Sequence, residues 1–265
     1  MMITVKDVLS YIETLAPGSM KMEWDNIGLL CGKADQQVHK ILVALDPFES
    51  VCREAFAIGA DLIVTHHPLI LGGLQSVTDE TGAGRAVLFL ASHDISAVNA
   101  HTNLDCALGG VNDILAQVLG LTDVHVLDPV GIDPQGQPWG LLRQGVAEAQ
   151  PLETFLSQVK TALGCPGLRY ADADRPVHRV AVGGGSCAGE LAQVIRAGCD
   201  TFVTADVKYN QFWEAQEAGI NLIDAGHFYT ENPVCPVLAA ALQTNFPDVQ
   251  VVLSQKHTDC AKFFV

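Results

Sequence analysis

The chain is short of positive charge. Fifteen Lys and Arg face thirty Asp and Glu, a formal net charge of −15. Broad binding to phosphate backbones needs clustered Lys and Arg, so nucleic acid is not an expected partner. No run approaches the roughly 18 apolar residues that span a bilayer, so no membrane partner is expected either. The start, Met1-Met2-Ile3-Thr4-Val5-Lys6-Asp7, lacks a basic segment followed by an apolar one, and no signal peptide is expected. Eight cysteines are present without a C-x-x-C pair. Most lie in apolar context and read as buried, reduced thiols of a cytoplasmic protein. There is no G-x-S-x-G serine elbow. Gly183-Gly184-Gly185-Ser186 follows a strand, but it lacks the Lys-Ser/Thr of a phosphate loop and the dinucleotide fingerprint, and reads as a tight turn rather than an anion cradle. The remaining ligand-type side chains are His, Asp and Glu.

What is present is a globular α/β pattern. The 265 residues are 49% apolar and 17% charged, enough to bury a full core. Apolar spacing predicts helices over 5–15, 47–58, 85–92, 111–119, 152–163, 190–197 and 212–218. Short apolar strands are expected where the polar cluster at 23–26 runs into Ile27-Gly28-Leu29-Leu30, and over 40–46, 61–65, 95–100, 179–184, 200–204 and 220–225. Strand, helix and strand in succession imply parallel pairing. Residues 124–150 are punctuated by Asp128-Pro129, Asp133-Pro134, Gly136 and Pro138. A boundary is expected there, between an N-terminal lobe (1–127) and a C-terminal lobe (128–265). The second half replays the first: 200–204 matches 61–65, and the strand ending at Gly226-His227 matches the one ending at His101. The expected fold is therefore two similar α/β lobes related by internal duplication, with a metal site between them.

Three strand ends carry the chemistry. Ile63-Val64-Thr65 runs into His66-His67-Pro68, and Pro68 ends the strand because it has no backbone N–H. Adjacent histidines on an extended chain point to opposite sides, so two ions could use both where one would use a single ring. His101 with Asp105, and His227 with Glu231, share an i, i+4 spacing that a helix would place on one face. Nitrogen and carboxylate donors without thiolates suit Zn, Mn, Fe, Co or Ni. Carboxylates can bridge two ions, so Asp105, Glu231 or both are expected to do so. Asp25-Asn26 reads equally as a turn or as a group orienting the site or touching a substrate. His39, His93, His125, His178 and His257 lie outside the replayed positions and read as ordinary histidines.

With these residues laid out, the chain resembles the NIF-three-like dinuclear-metal family, many of whose members are named GTP cyclohydrolase I type 2 homologues. The matching stretches are Trp24-Asp25-Asn26-Ile27-Gly28-Leu29, Ala44-Leu45-Asp46, Thr65-His66-His67-Pro68, His101-Thr102-Asn103-Leu104-Asp105 and Gly226-His227 through Glu231. The likeness is to the short form of the family. It implies two divalent ions per subunit held by His66, His67, Asp105, His227 and Glu231. His101 takes a catalytic, proton-handling role or supports the metals. The resemblance also implies a toroidal homo-hexamer. The activity it implies is hydrolysis of a nucleotide or phosphoester by metal-activated water; with GTP, attack at C8 would open the imidazole and release formate. The other reading is a non-catalytic, metal-stabilised hexameric scaffold or regulator. Leu30 and Asn210 depart from residues the family often shows, Gln and His respectively, while Asp206 and Lys208 remain.

Overall fold

A computed structural model describes residues 2–133, 135–262 and 264; Met1, and Pro134 among the punctuating residues, lie outside them. The chain divides into two compact units. The first runs to Leu104 and takes in Val234–Thr258; the second is Asp105–Pro233 with the chain from Asp259 onward. The boundary read from punctuation at 127/128 falls inside the second unit. Among the described residues no helix is long and apolar enough to cross a membrane.

The first unit opens with the helix Val5–Leu15, as its spacing predicts. Thr4 caps it reciprocally with Asp7, and Val5, Val8 and Ile12 are its buried face. The parallel strands Lys40–Ala44, Leu62–Thr65 and Ser96–Asn99 lie side by side, with Ala44 opposite Thr65 and Thr65 opposite Asn99. Helices Glu49–Ile58 and Gly82–Ser92 make the crossovers. Leu62, Ile63 and Val64 have no exposed surface, each burial contributing about 1.5–3 kcal/mol. The strand entered from the polar cluster 23–26 is present as an edge strand, and a second edge strand, not expected from the sequence, comes from residues 250–253. Gly28–Cys31 pairs antiparallel with Ser96–Asn99. Gln250–Leu253, reached through the helix Val234–Asn245, pairs parallel with Lys40–Ala44.

The second unit also holds a parallel trio: Val177–Val182, Thr201–Thr204 and Asn221–Asp224. Alternate residues serve opposite faces. Val180, Val182, Val203 and Ile223 pack with Phe155 and Val159 of the helix Leu152–Leu163. Ala181, Phe202 and Leu222 pack with Leu191, Val194 and Ala215. The trio is flanked by antiparallel strands Arg143–Gln150 and Arg169–Ala171, with Thr122–Val126 beyond the former. Residues 124–150 are thus more regular than their sequence suggests. Buried polar side chains, Arg143 and Gln144, break the apolar alternation that would reveal a strand.

Candidate functional site

In the first unit the paired strand ends bring three imidazoles together. Ligand atoms of His66, His67 and His101 all lie within 4.8 Å of one another. The ring centroids of His66 and His67 are 4.9 Å apart, so the neighbours do not diverge as they would on an extended chain. The backbone bends after Thr65, whose hydroxyl donates to the His67 carbonyl at 2.7 Å, and His67 N–H donates to Leu45 O at 2.8 Å.

Each ring is held at Nδ1 by an acceptor. His66 meets Ala100 O at 2.9 Å, His67 meets Asp46 Oδ1 at 2.7 Å, and His101 meets Asp25 Oδ1 at 2.7 Å. Burial pushes the Asp25 carboxyl up, but hydrogen bonds from His101 and Thr102 outweigh it and hold the group well below the usual carboxylate range. Asp46 behaves alike: burial opposes ionisation, and the bonds from His257 and His67 prevail. An ionised carboxylate only accepts, so Nδ1 carries the proton and Nε2 presents its lone pair. Asp25 therefore orients His101. It also makes the turn, accepting Asn26 N–H at 2.7 Å and Thr102 N–H at 3.0 Å. The structure supports both readings of this residue.

In the second unit the strand Asn221–Asp224 leads through Gly226 into the short helix His227–Glu231. The i, i+4 expectation holds here: His227 Nε2 lies 3.0 Å from Glu231 Oε2. His101 directly precedes the helix Thr102–Cys106, which carries Asp105. Asp105 offers a carboxylate oxygen within 4.8 Å of one from Glu231. Asp206 Oδ2 holds His227 Nδ1 at 2.7 Å, the same support from behind that Asp25 and Asp46 give. Asp105 and Glu231 are buried. The thiol of Cys187 is raised well above its ordinary value by burial first and then by these two carboxylates. Asp206 and Glu231 flank the His227 imidazole and Asp105 groups with Glu231, a negative cluster suited to a cation.

The Gly183-Gly184-Gly185 turn serves this pocket. Its N–H groups are engaged by Val203 O, Asn112 Oδ1 and Thr230 Oγ1 in turn, which leaves no anion cradle. A Cβ on Gly185 would lie 2.0 Å from Glu231 Oε1. Asn112 is fully buried; it accepts Gly184 N–H at 2.7 Å and donates to Asp105 O at 3.2 Å.

In the sequence, Asp46 and Asp206 are noted only as residues shared with the family and Gly185 only as part of a tight turn, and Asn112 is not singled out. For Asp46 a signal existed, since it follows a parallel strand end just as His66 does. His257, read as ordinary, has a nearly buried side chain bonded to Asp46 Oδ2 at 2.9 Å. Lys208 N–H bonds Gln211, and Asn210 bonds Glu214 on its own helix.

Three imidazoles held at Nδ1 by oxygen acceptors in the first unit, and an imidazole with two buried carboxylates in the second, are donor groups of the kinds that can hold a divalent transition ion. The chain belongs to the Duf34/NIF3 (NGG1p interacting factor 3) family, whose model matches residues 3–260. It is 33% identical over 261 residues to a protein of Clostridium perfringens named GTP cyclohydrolase 1 type 2 homolog, covering 98% of this chain and 99% of that one. A protein of the same name from Streptomyces coelicolor is 39% identical over 245 residues, 90% of this chain and 85% of its own. The crystal structure of a Bacillus cereus protein related to NIF3 superposes with a TM-score of 0.93 at 26% identity, covering 99% of each chain.

Proposed function

We propose that the chain is a metal-dependent hydrolase in which His66, His67, Asp105, His227 and Glu231 hold two divalent ions drawn from Zn, Mn, Fe, Co or Ni. One observation carries this reading: His66, His67, His101 and His227 are all anchored at Nδ1 by an oxygen acceptor, which directs Nε2 to a ligand. Bound ions would supply Lewis acidity and water acidified toward neutrality. His101, fixed by Asp25, handles a proton at Nε2. It can also serve as a donor, since its ligand atom groups with those of His66 and His67.

The substrate class is a nucleotide or small phosphorylated compound, with GTP first because the relatives' names specify it. The setting is cytoplasmic, in keeping with buried thiols at Cys52, Cys165, Cys187 and Cys199, and the assembly is a homo-hexamer by family resemblance.

The test is turnover. Metal-loaded protein is given GTP and a panel of phosphoesters beside a His67→Ala, Glu231→Ala double variant. Product from the wild type alone supports the hydrolase. Equal product from both would overturn it. An inactive wild type whose hexamer dissociates on chelation would leave the scaffold reading in its place.

A further inference from the structure

Both oxygens of Asp46 are engaged, one by each of two histidines: Oδ1 by His67 Nδ1 at 2.7 Å and Oδ2 by His257 Nε2 at 2.9 Å. We propose that His257 is a positioning residue for His67: it fixes Asp46, and Asp46 fixes the imidazole that presents Nε2 to a metal. The proposal rests on the metal-binding reading above.

Proton placement argues for it. The Leu45 N–H can only donate, and it lies 3.4 Å from His257 Nδ1. Nδ1 is then the acceptor, so a neutral His257 carries its proton on Nε2, facing Asp46. Asp46 accepts on both sides, so His67 donates from Nδ1. Leu45 also accepts the His67 N–H through its carbonyl at 2.8 Å. One backbone residue therefore registers the His67 main chain and the His257 ring.

The segment that delivers His257 is firmly tied. Gln250–Leu253 pairs with Lys40–Ala44, and Ser254 N–H continues the ladder to Val43 O at 2.9 Å. Glu54 accepts from the backbone N–H groups of Gln255 at 2.8 Å and Lys256 at 3.3 Å. Ser254 Oγ accepts the His257 N–H at 3.1 Å. The His257 side chain is 4% exposed. A buried imidazole bonded at both nitrogens, one of them to the carboxylate behind a candidate donor, acts as a strut rather than as filler.

Zinc affinity of the full chain, measured by competition with a chromophoric chelator, tests this, with urea unfolding of the metal-free forms alongside. His257→Leu fills the space without a donor and is expected to weaken zinc about 10–100-fold. His257→Gln keeps an N–H where Nε2–H stands and is expected to bind close to the wild type. Wild-type affinity in His257→Leu, or equal weakening in both variants, would overturn the proposal. Ring nitrogen NMR of the metal-free wild type needs no variant. It should show His257 protonated at Nε2 and His67 at Nδ1, and the opposite tautomer at either would overturn the proposal. A wild type that takes up no zinc would instead overturn the metal reading, with the tautomers still reporting on the strut.

Discussion

Gly185 and Glu231 approach so closely that residue 185 has no room for a side chain. A Cβ there would sit 2.0 Å from Glu231 Oε1 and 3.1 Å from His227 Nε2, and the backbone φ of +62° is itself costly for any L side chain. Gly185→Ala is expected to lower unfolding free energy by about 1–3 kcal/mol and to weaken zinc uptake by displacing Glu231. Gly189→Ala, with nothing within 4 Å of its Cβ, is the control. Urea unfolding and zinc titration of both would check this; a Gly185→Ala protein indistinguishable from the control would count against it.

That contact also shows what a sequence reveals and what it hides. Periodicity placed the helices Val5–Leu15 and Leu152–Leu163 to the residue, because a packed amphipathic face repeats locally. The strand ends at His66, His101 and His227 were readable for the same reason: apolar runs stop abruptly on polar side chains. The need for glycine at 185 lies in a carboxylate 46 residues later in the chain, and nothing local reports it. The return of Gln250–Leu253 to the first sheet is likewise a long-range pairing without a local mark. It is what brings His257 to Asp46.

Asn112 ties together three backbone segments of the second unit, one carrying Asp105 and one forming the glycine turn against Glu231. It is fully buried, accepts from Gly184 N–H, and donates to Asp105 O and to Leu141 O at 2.7 Å. Asn112→Leu keeps the bulk and strands those groups, each costing about 1–3 kcal/mol when buried. The expected result is a loss of at least about 2 kcal/mol together with weaker zinc binding. Chemical unfolding and zinc titration read the two effects separately. Stability lost with zinc affinity intact would show that Asn112 braces the fold and not the donors.

The thiols give a pH signature. Burial pushes Cys52 up to about 12 and Cys199 up to about 11, against about 8.5 in an unfolded chain. Protonation is thus retained by the fold and released on unfolding. The stabilisation is fully present below about pH 8.5 and is lost as pH rises toward the folded values. The urea midpoint is expected to fall from pH 8.5 to 10.5, with a shallower fall in Cys52→Ala. At pH 8 a disulfide reagent should modify exposed Cys260 promptly and reach Cys52 and Cys199 only on unfolding. Prompt native-state labelling of Cys52 would contradict the burial argument.

Arg143 is fully buried on a strand, and its fork serves three segments. Nε bonds Asp113 Oδ1 at 2.6 Å, Nη1 bonds Gly140 O at 2.7 Å, and Nη2 bonds Ala107 O at 2.8 Å and Cys106 O at 3.2 Å. Removing it leaves Asp113 and several carbonyls without their donor, so Arg143→Ala is expected to cost about 3–5 kcal/mol. Arg143→Lys retains the charge but cannot reproduce the fork, and should recover only part of that loss. A buried pair is screened little, so the gap between wild type and variants should change little between low and high salt. The carbonyls of Cys106 and Ala107 directly follow Asp105. The lysine variant should therefore also bind zinc more weakly, although residue 143 donates to no ion. Unfolding at two salt concentrations, with zinc competition on the folded lysine variant, checks both parts. A strong salt dependence would place the Asp113 pair in solvent, and unchanged zinc affinity would separate Arg143 from the placement of Asp105.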